Sequence, residues 1–108
     1  MYLPPAVSEA NMAPTDILAP TLNAALAEEL RMVATLLEKL AETVVSDEEF
    51  ACRHVEQLQT FDLVIQCAEE SAAVLDRMAQ GAPSHEAIAP VRLTAVRDRL
   101  RHALSQAA

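Results

Sequence analysis

Glycine is almost missing from this sequence, with a single residue, Gly81, in 108. A glycine-rich phosphate loop is therefore excluded. Tryptophan is absent, and one tyrosine and two phenylalanines hold the aromatic content at 3%. A β-sandwich or an α/β sheet needs more aromatics, β-branched residues and turn glycines than this. The two cysteines, Cys52 and Cys67, form no Cys-x-x-Cys pair. None of the three histidines, His54, His85 and His102, follows a glutamate by three positions, and no His-Glu-x-x-His occurs. The usual zinc and di-iron signatures are thus missing, and no metal or cofactor of the chain's own is expected. No apolar run approaches the ~20 residues that span a bilayer, and the N-terminus lacks a basic-then-apolar leader pattern. The expectation is a cytoplasmic protein with no membrane role, its cysteines reduced and buried as small apolar residues.

What is present is helix-forming. Apolar residues make up 52% of the chain, mostly alanine and leucine, and both favour helix. Formal net charge is −8, which argues against a nucleic-acid partner. The charge is uneven, because 14 of the 16 acids lie in residues 1–80 while residues 81–108 hold four of the eight bases. Arg92, Arg97, Arg99 and Arg101 make the one basic segment, either a solvated face paired with the acidic part or a docking surface for an acidic partner.

Along the chain, Pro4, Pro5, Pro14 and Pro20 mark residues 1–20 as an irregular arm, able to pack on the body through Tyr2, Leu3, Ile17 and Leu18. Residues 21–108 form one domain. A first helix over about 21–45 starts after Pro20 with Thr21 as cap, and its seam runs Leu22, Leu26, Leu30, Val33, Leu37, Leu40 and Val44. Ser46-Asp47-Glu48-Glu49 matches a capping box. A second helix follows over 47–80, about 50 Å long, and stops at Gly81 and Pro83. Its seam is His54, Leu58, Phe61, Ile65, Ala68, Ala72, Leu75 and Ala79, and a further strip of Leu63, Val64, Cys67 and Val74 widens the apolar arc. Ser84 caps a short turn, and Pro90 opens a third helix over about 90–105 with the seam Leu93, Val96, Leu100 and Leu104. The expected fold is all-α: a long antiparallel helical hairpin with a third helix packed on it. Because one neighbour cannot cover the wide arc of the second helix, a homodimer forming a four-helix or larger bundle is also expected.

Within the second helix, Asp62 and Gln66 stand four residues apart and so project from one face, one turn from each other. Each follows a seam residue, Phe61 and Ile65, which sets it at the edge of the core. Gln59 and Glu69 extend the same polar stripe. Asp76 and Gln80 repeat the Asp-x-x-x-Gln spacing, but at the helix end beside Gly81.

In this stretch the chain resembles the CheZ family of chemotaxis phosphatases, long helical hairpins that dimerise into a four-helix bundle and carry an Asp-x-x-x-Gln pair in mid-helix. It is most similar to the small CheT-type relatives, which keep little beyond the hairpin and the motif. One branch of sensor kinases uses the same spacing directly after a phosphorylated histidine, but position 61 is Phe here. The resemblance covers residues 21–80 in architecture and about nine residues in sequence. It departs from the family between the pair, where Leu63, Val64 and Ile65 replace small or polar residues. It implies dephosphorylation of a CheY-like receiver domain, with Gln66 orienting the attacking water and Asp62 pairing with the receiver's lysine. The Mg²⁺ would belong to the receiver. Two alternatives stand beside it: a non-catalytic helical adaptor or anti-regulator that binds a signalling protein, and a phosphotransfer module using His54. Solvated polar stripe and boundary histidine are the corresponding structural readings of these positions.

Overall fold

A computed structural model describes residues 16–107. The arm expected for residues 1–20 lies outside the described residues as far as Thr15, and so do Tyr2 and Leu3. Ile17 and Leu18, expected to pack on the body, are exposed. The described residues run through five helices: α1 (Ala19–Val45), α2 (Glu48–Arg53), α3 (Val55–Ala79), α4 (Ser84–Ile88) and α5 (Thr94–Ala107). No strand occurs among the described residues. Helices α1 and α3 pack along each other as the two arms of an antiparallel hairpin. The molecule is elongated, 76 × 25 × 17 Å.

Helix α1 begins at Ala19 rather than after a Thr21 cap. Asp16 organises the entry, its carboxylate accepting from the Leu18 N–H at 2.9 Å, and Pro20 sits in the first turn, where its missing N–H costs nothing. At the far end the expected capping box is divided between two helices. Ser46 donates from Oγ to the Thr43 carbonyl at 2.6 Å and closes α1. Asp47 is the cap of α2, accepting from the Phe50 N–H at 3.1 Å, and Glu49 pairs with Arg53 instead of reaching back.

The long second helix expected over 47–80 is broken once. His54 adopts φ −126° and ψ 37°, outside the helical region. Its ring stacks on Phe50 with centroids 3.9 Å apart, and Nδ1 lies 2.9 Å from the Phe50 carbonyl. The side chain thus engages the backbone of the preceding turn just where the helix is interrupted. Cys52, expected in the core, lies on the short α2 and is exposed, whereas Cys67 is half-buried.

Helix α3 buries the seam its periodicity predicts, from His54 and Leu58 through Ala68 and Ala72 to Ala79, all buried or half-buried. The seam of α1 differs. The residues turned to α3 are Asn23, Ala27, Leu30, Ala34, Leu37, Ala41 and Val44, with Ala27 and Ala34 buried, while Leu22, Leu26, Val33 and Leu40 of the expected seam are exposed. Small residues on one arm admit the larger Leu58, Phe61, Ile65 and Leu75 of the other and let the axes approach.

Gly81, at φ +103°, ends α3. Ala82 N–H reaches the Arg77 carbonyl at 2.9 Å and Gly81 N–H the Met78 carbonyl at 3.0 Å, the bond pair of a Schellman stop. The third helix expected over 90–105 is two helices. Pro90 lies in the turn between α4 and α5, and α5 starts at Thr94. Val74, Ala87, Ile88, Val91 and Val96 form the buried cluster at this end, with Cys67, Met78, Leu93, Leu100 and Leu104 packed against it. Arg77 secures the connection by donating from Nε to the Ala87 carbonyl at 2.7 Å. The α4–α5 segment thereby covers Cys67 and Val74 of the second apolar strip and leaves Leu63 and Val64 exposed.

Candidate functional site

Asp62 and Gln66 both lie on the exposed surface of α3, as do Gln59 and Glu69. The exposure follows from the seam. With Phe61, Ile65 and Ala68 turned toward α1, the 100° step per residue carries Gln59, Asp62 and Gln66 to the side and back of the helix. The apolar residues between the pair do not bury it, because Leu63 and Val64 are themselves exposed and only Ile65 is half-buried.

Gln66 and Glu69 then meet residues from a distant part of the chain. An open cleft of about 560 Å³ is lined by Gln66, Glu69, Glu70, Arg92 and Leu93. It forms where the α4–α5 link crosses the back of α3. The link is held there by the buried Val91 and by Glu70, whose carboxylate accepts from the Arg92 backbone N–H at 2.7 Å. With its backbone pinned, Arg92 is exposed and lines the cleft together with Gln66. The cleft therefore offers an amide, a guanidinium and two carboxylates, with Asp62 one turn beyond. Such a set suits a polar, charged surface of a partner better than an apolar small molecule.

The basic segment does not act as one surface. Arg92 belongs to the cleft. Arg97 is half-buried, with one guanidinium nitrogen 3.4 Å from the Val91 carbonyl and Nε without a partner among the described residues. Arg99 and Arg101 are exposed on α5.

The second Asp-x-x-x-Gln pair has a different occupation. Asp76 pairs with Arg31 of α1, and this hydrogen bond, with the carboxylate charge, holds the Arg31 guanidinium above its ordinary pKa. Arg31 also reaches Glu28 at 3.2 Å. Asp76 ties the two arms together, and Gln80 is the exposed cap residue of α3. His54 is half-buried and engaged with Phe50, as described above. Among the described residues, no group of three or more His, Cys, Asp or Glu side chains is placed to hold a metal ion.

Sequence reasoning missed Glu70 and Leu93 as cleft residues and the Arg31–Asp76 tie. The first depends on how the α4–α5 link crosses α3. The second joins residues 45 positions apart, and only a register between the arms could have revealed it. No helix of the described residues is long and apolar enough to cross a membrane. Set against protein-family models, curated proteins and solved structures, the chain matches none.

Proposed function

We propose that this protein accelerates the hydrolysis of the aspartyl phosphate on a CheY-like receiver domain, with Asp62 and Gln66 as the working pair. The observation that carries the reading is the joint exposure of these two side chains on adjacent turns of a firmly seated helix, with Gln66 at a polar cleft. An acyl phosphate is already reactive, so catalysis can rest on positioning. Inserted beside the phosphoryl group, the Gln66 amide oxygen accepts a hydrogen bond from a water while its N–H₂ donates to a phosphoryl oxygen. The water oxygen then bonds to phosphorus in line as the bond from phosphorus to the receiver's carboxylate oxygen breaks. The products are a free aspartate and inorganic phosphate. Asp62 pairs with the receiver's lysine and seats α3 against it. A Mg²⁺ held by the receiver, not by this chain, would supply the charge neutralisation at the phosphoryl group.

Phosphorylated receivers should lose their phosphate markedly faster with this protein present, and Gln66→Ala should return the decay to the receiver's own rate. Asp62→Ala should weaken the interaction first. No acceleration of any receiver by the wild-type protein would remove the phosphatase reading.

The exposed apolar groove beside Leu37, Phe61 and Val64, about 300 Å³, favours a second reading, a non-catalytic adaptor that docks a signalling protein. That reading predicts saturable binding with no change in phosphate lifetime, and indifference to Gln66→Ala.

A further inference from the structure

Arg92 is the one cation among the residues that line the cleft at Gln66, and it is held by its backbone rather than by its charged end. Its N–H donates to the Glu70 carboxylate at 2.7 Å, and Val91 before it is buried. Among the described residues the guanidinium enters no ion pair, although Glu69 and Glu70 share its cleft. Other arginines are engaged inside the chain: Arg31 with Asp76, Arg53 with Glu49, and Arg77 with the Ala87 carbonyl. Arg92 thus combines a fixed root with an uncommitted charge. A ligand that met it would break no internal bond and would order one side chain.

The charge around Gln66 otherwise opposes the group it is proposed to meet. A phosphoryl group carries about two negative charges near neutral pH. Glu69 and Glu70 line the same cleft and Asp62 lies one turn beyond, in a chain of net charge −8. Carboxylates beside an incoming dianion weaken its approach. A guanidinium offsets them, and its planar fork matches two phosphoryl oxygens at once.

We infer that Arg92 is a specificity-determining residue of this site, its guanidinium taking phosphoryl oxygens that the Gln66 amide leaves free. The inference rests on the phosphatase reading and adds a third side chain to Asp62 and Gln66, delivered from the α4–α5 link. Arg92 moves no proton and forms no covalent bond. The water oxygen still bonds to phosphorus as the bond to the receiver's carboxylate oxygen breaks. Because the contact is made before transfer and kept during it, it strengthens substrate and transition state alike. Such a contact acts on KM and leaves kcat nearly unchanged.

The test measures receiver dephosphorylation at varied receiver concentration. Arg92→Ala should raise KM roughly 10- to 100-fold, the worth of a charge-assisted contact, with kcat within about twofold of wild type. Arg92→Lys, which keeps the charge, should recover part of the loss. Lys39→Ala removes the same charge from an exposed position on α1 and should leave KM unchanged. Binding is then compared between the unmodified receiver and one carrying beryllium trifluoride in the phosphoryl position. Arg92→Ala should weaken the second far more than the first. The Glu70 contact is made to the backbone of Arg92, so the helical circular dichroism of the variant should persist. If it does not, Glu69→Gln decides in its place: loss of a cleft carboxylate should lower KM about 2- to 3-fold, and an unchanged or raised KM would overturn the inference. A KM indifferent to Arg92→Ala, one raised equally by Lys39→Ala, or equal weakening toward both receiver forms would overturn the role of Arg92 while the phosphatase reading stands. A wild-type protein that accelerates no receiver removes that reading, and the role of Arg92 with it.

Discussion

Gln66 and Asp76 are both polar residues on α3, and their surroundings give them opposite duties. Gln66 faces solvent at the cleft, free to meet a partner, while Asp76 is held against Arg31 across the hairpin. Substitutions should separate them. Gln66→Glu should be as inactive as Gln66→Ala in the receiver-decay assay, because an ionised carboxylate cannot donate to a phosphoryl oxygen and adds a third negative charge beside Glu69 and Glu70. Asp76→Asn should leave the decay rate unchanged and lower the thermal midpoint by a few degrees at most, since the pair is half-exposed and partly screened by solvent. Arg31 has its pKa raised on folding. A raised basic group contributes fully below its unfolded pKa, and the contribution fades only as pH climbs through the folded value. The guanidinium side of the tie should therefore persist unchanged across neutral pH and be lost in strong alkali, which thermal melts of wild type and Asp76→Asn from neutral to alkaline pH will check. Of the site, the exposed carboxylate–amide pair was legible as a four-residue spacing and Arg92 as part of a basic segment, but the contact of Arg92 with Glu70 beside Gln66 was not, because 22 residues separate those two.

At the scale of elements, the helix ends are governed by single residues. Asp47 caps α2 through the Phe50 N–H, and Asp47→Ala should cost about 1 kcal/mol in urea unfolding. Gly81 sits at φ +103°, and no atom lies within 4 Å of the place a side-chain methyl would take. The penalty for Gly81→Ala is therefore conformational rather than steric, about 1 to 2 kcal/mol in the same unfolding measurement. Both stops follow from residue chemistry and stand close to where the sequence suggested. The interruption at His54 does not, since the apolar periodicity runs through it without a gap and neither glycine nor proline marks it. Likewise Pro90 lies before the last helix instead of in its first turn. A proline fixes its own φ and leaves open whether the chain turns or begins a helix after it.

For the whole molecule, the packing is lopsided. The best-formed cluster lies at the α4–α5 end around Val91, which is 1% exposed. Val91→Ala there should cost about 2 kcal/mol and loosen the α4–α5 link from the cleft. The other end of the hairpin relies on the contact between two arms, with Leu36, Leu40, Leu63 and Val64 in solvent. The sequence by itself determined that the chain is helical, where α3 and α1 end, and that the main seam of α3 is buried, because these depend on local propensity, caps and a sustained apolar periodicity. Tertiary structure decided which of two adjacent stripes on α1 meets α3, and which residues surround Gln66. Periodicity gives the angle of a residue around its own helix but not the partner that angle will face, and volume matching favoured the alanine stripe for the close contact within the chain.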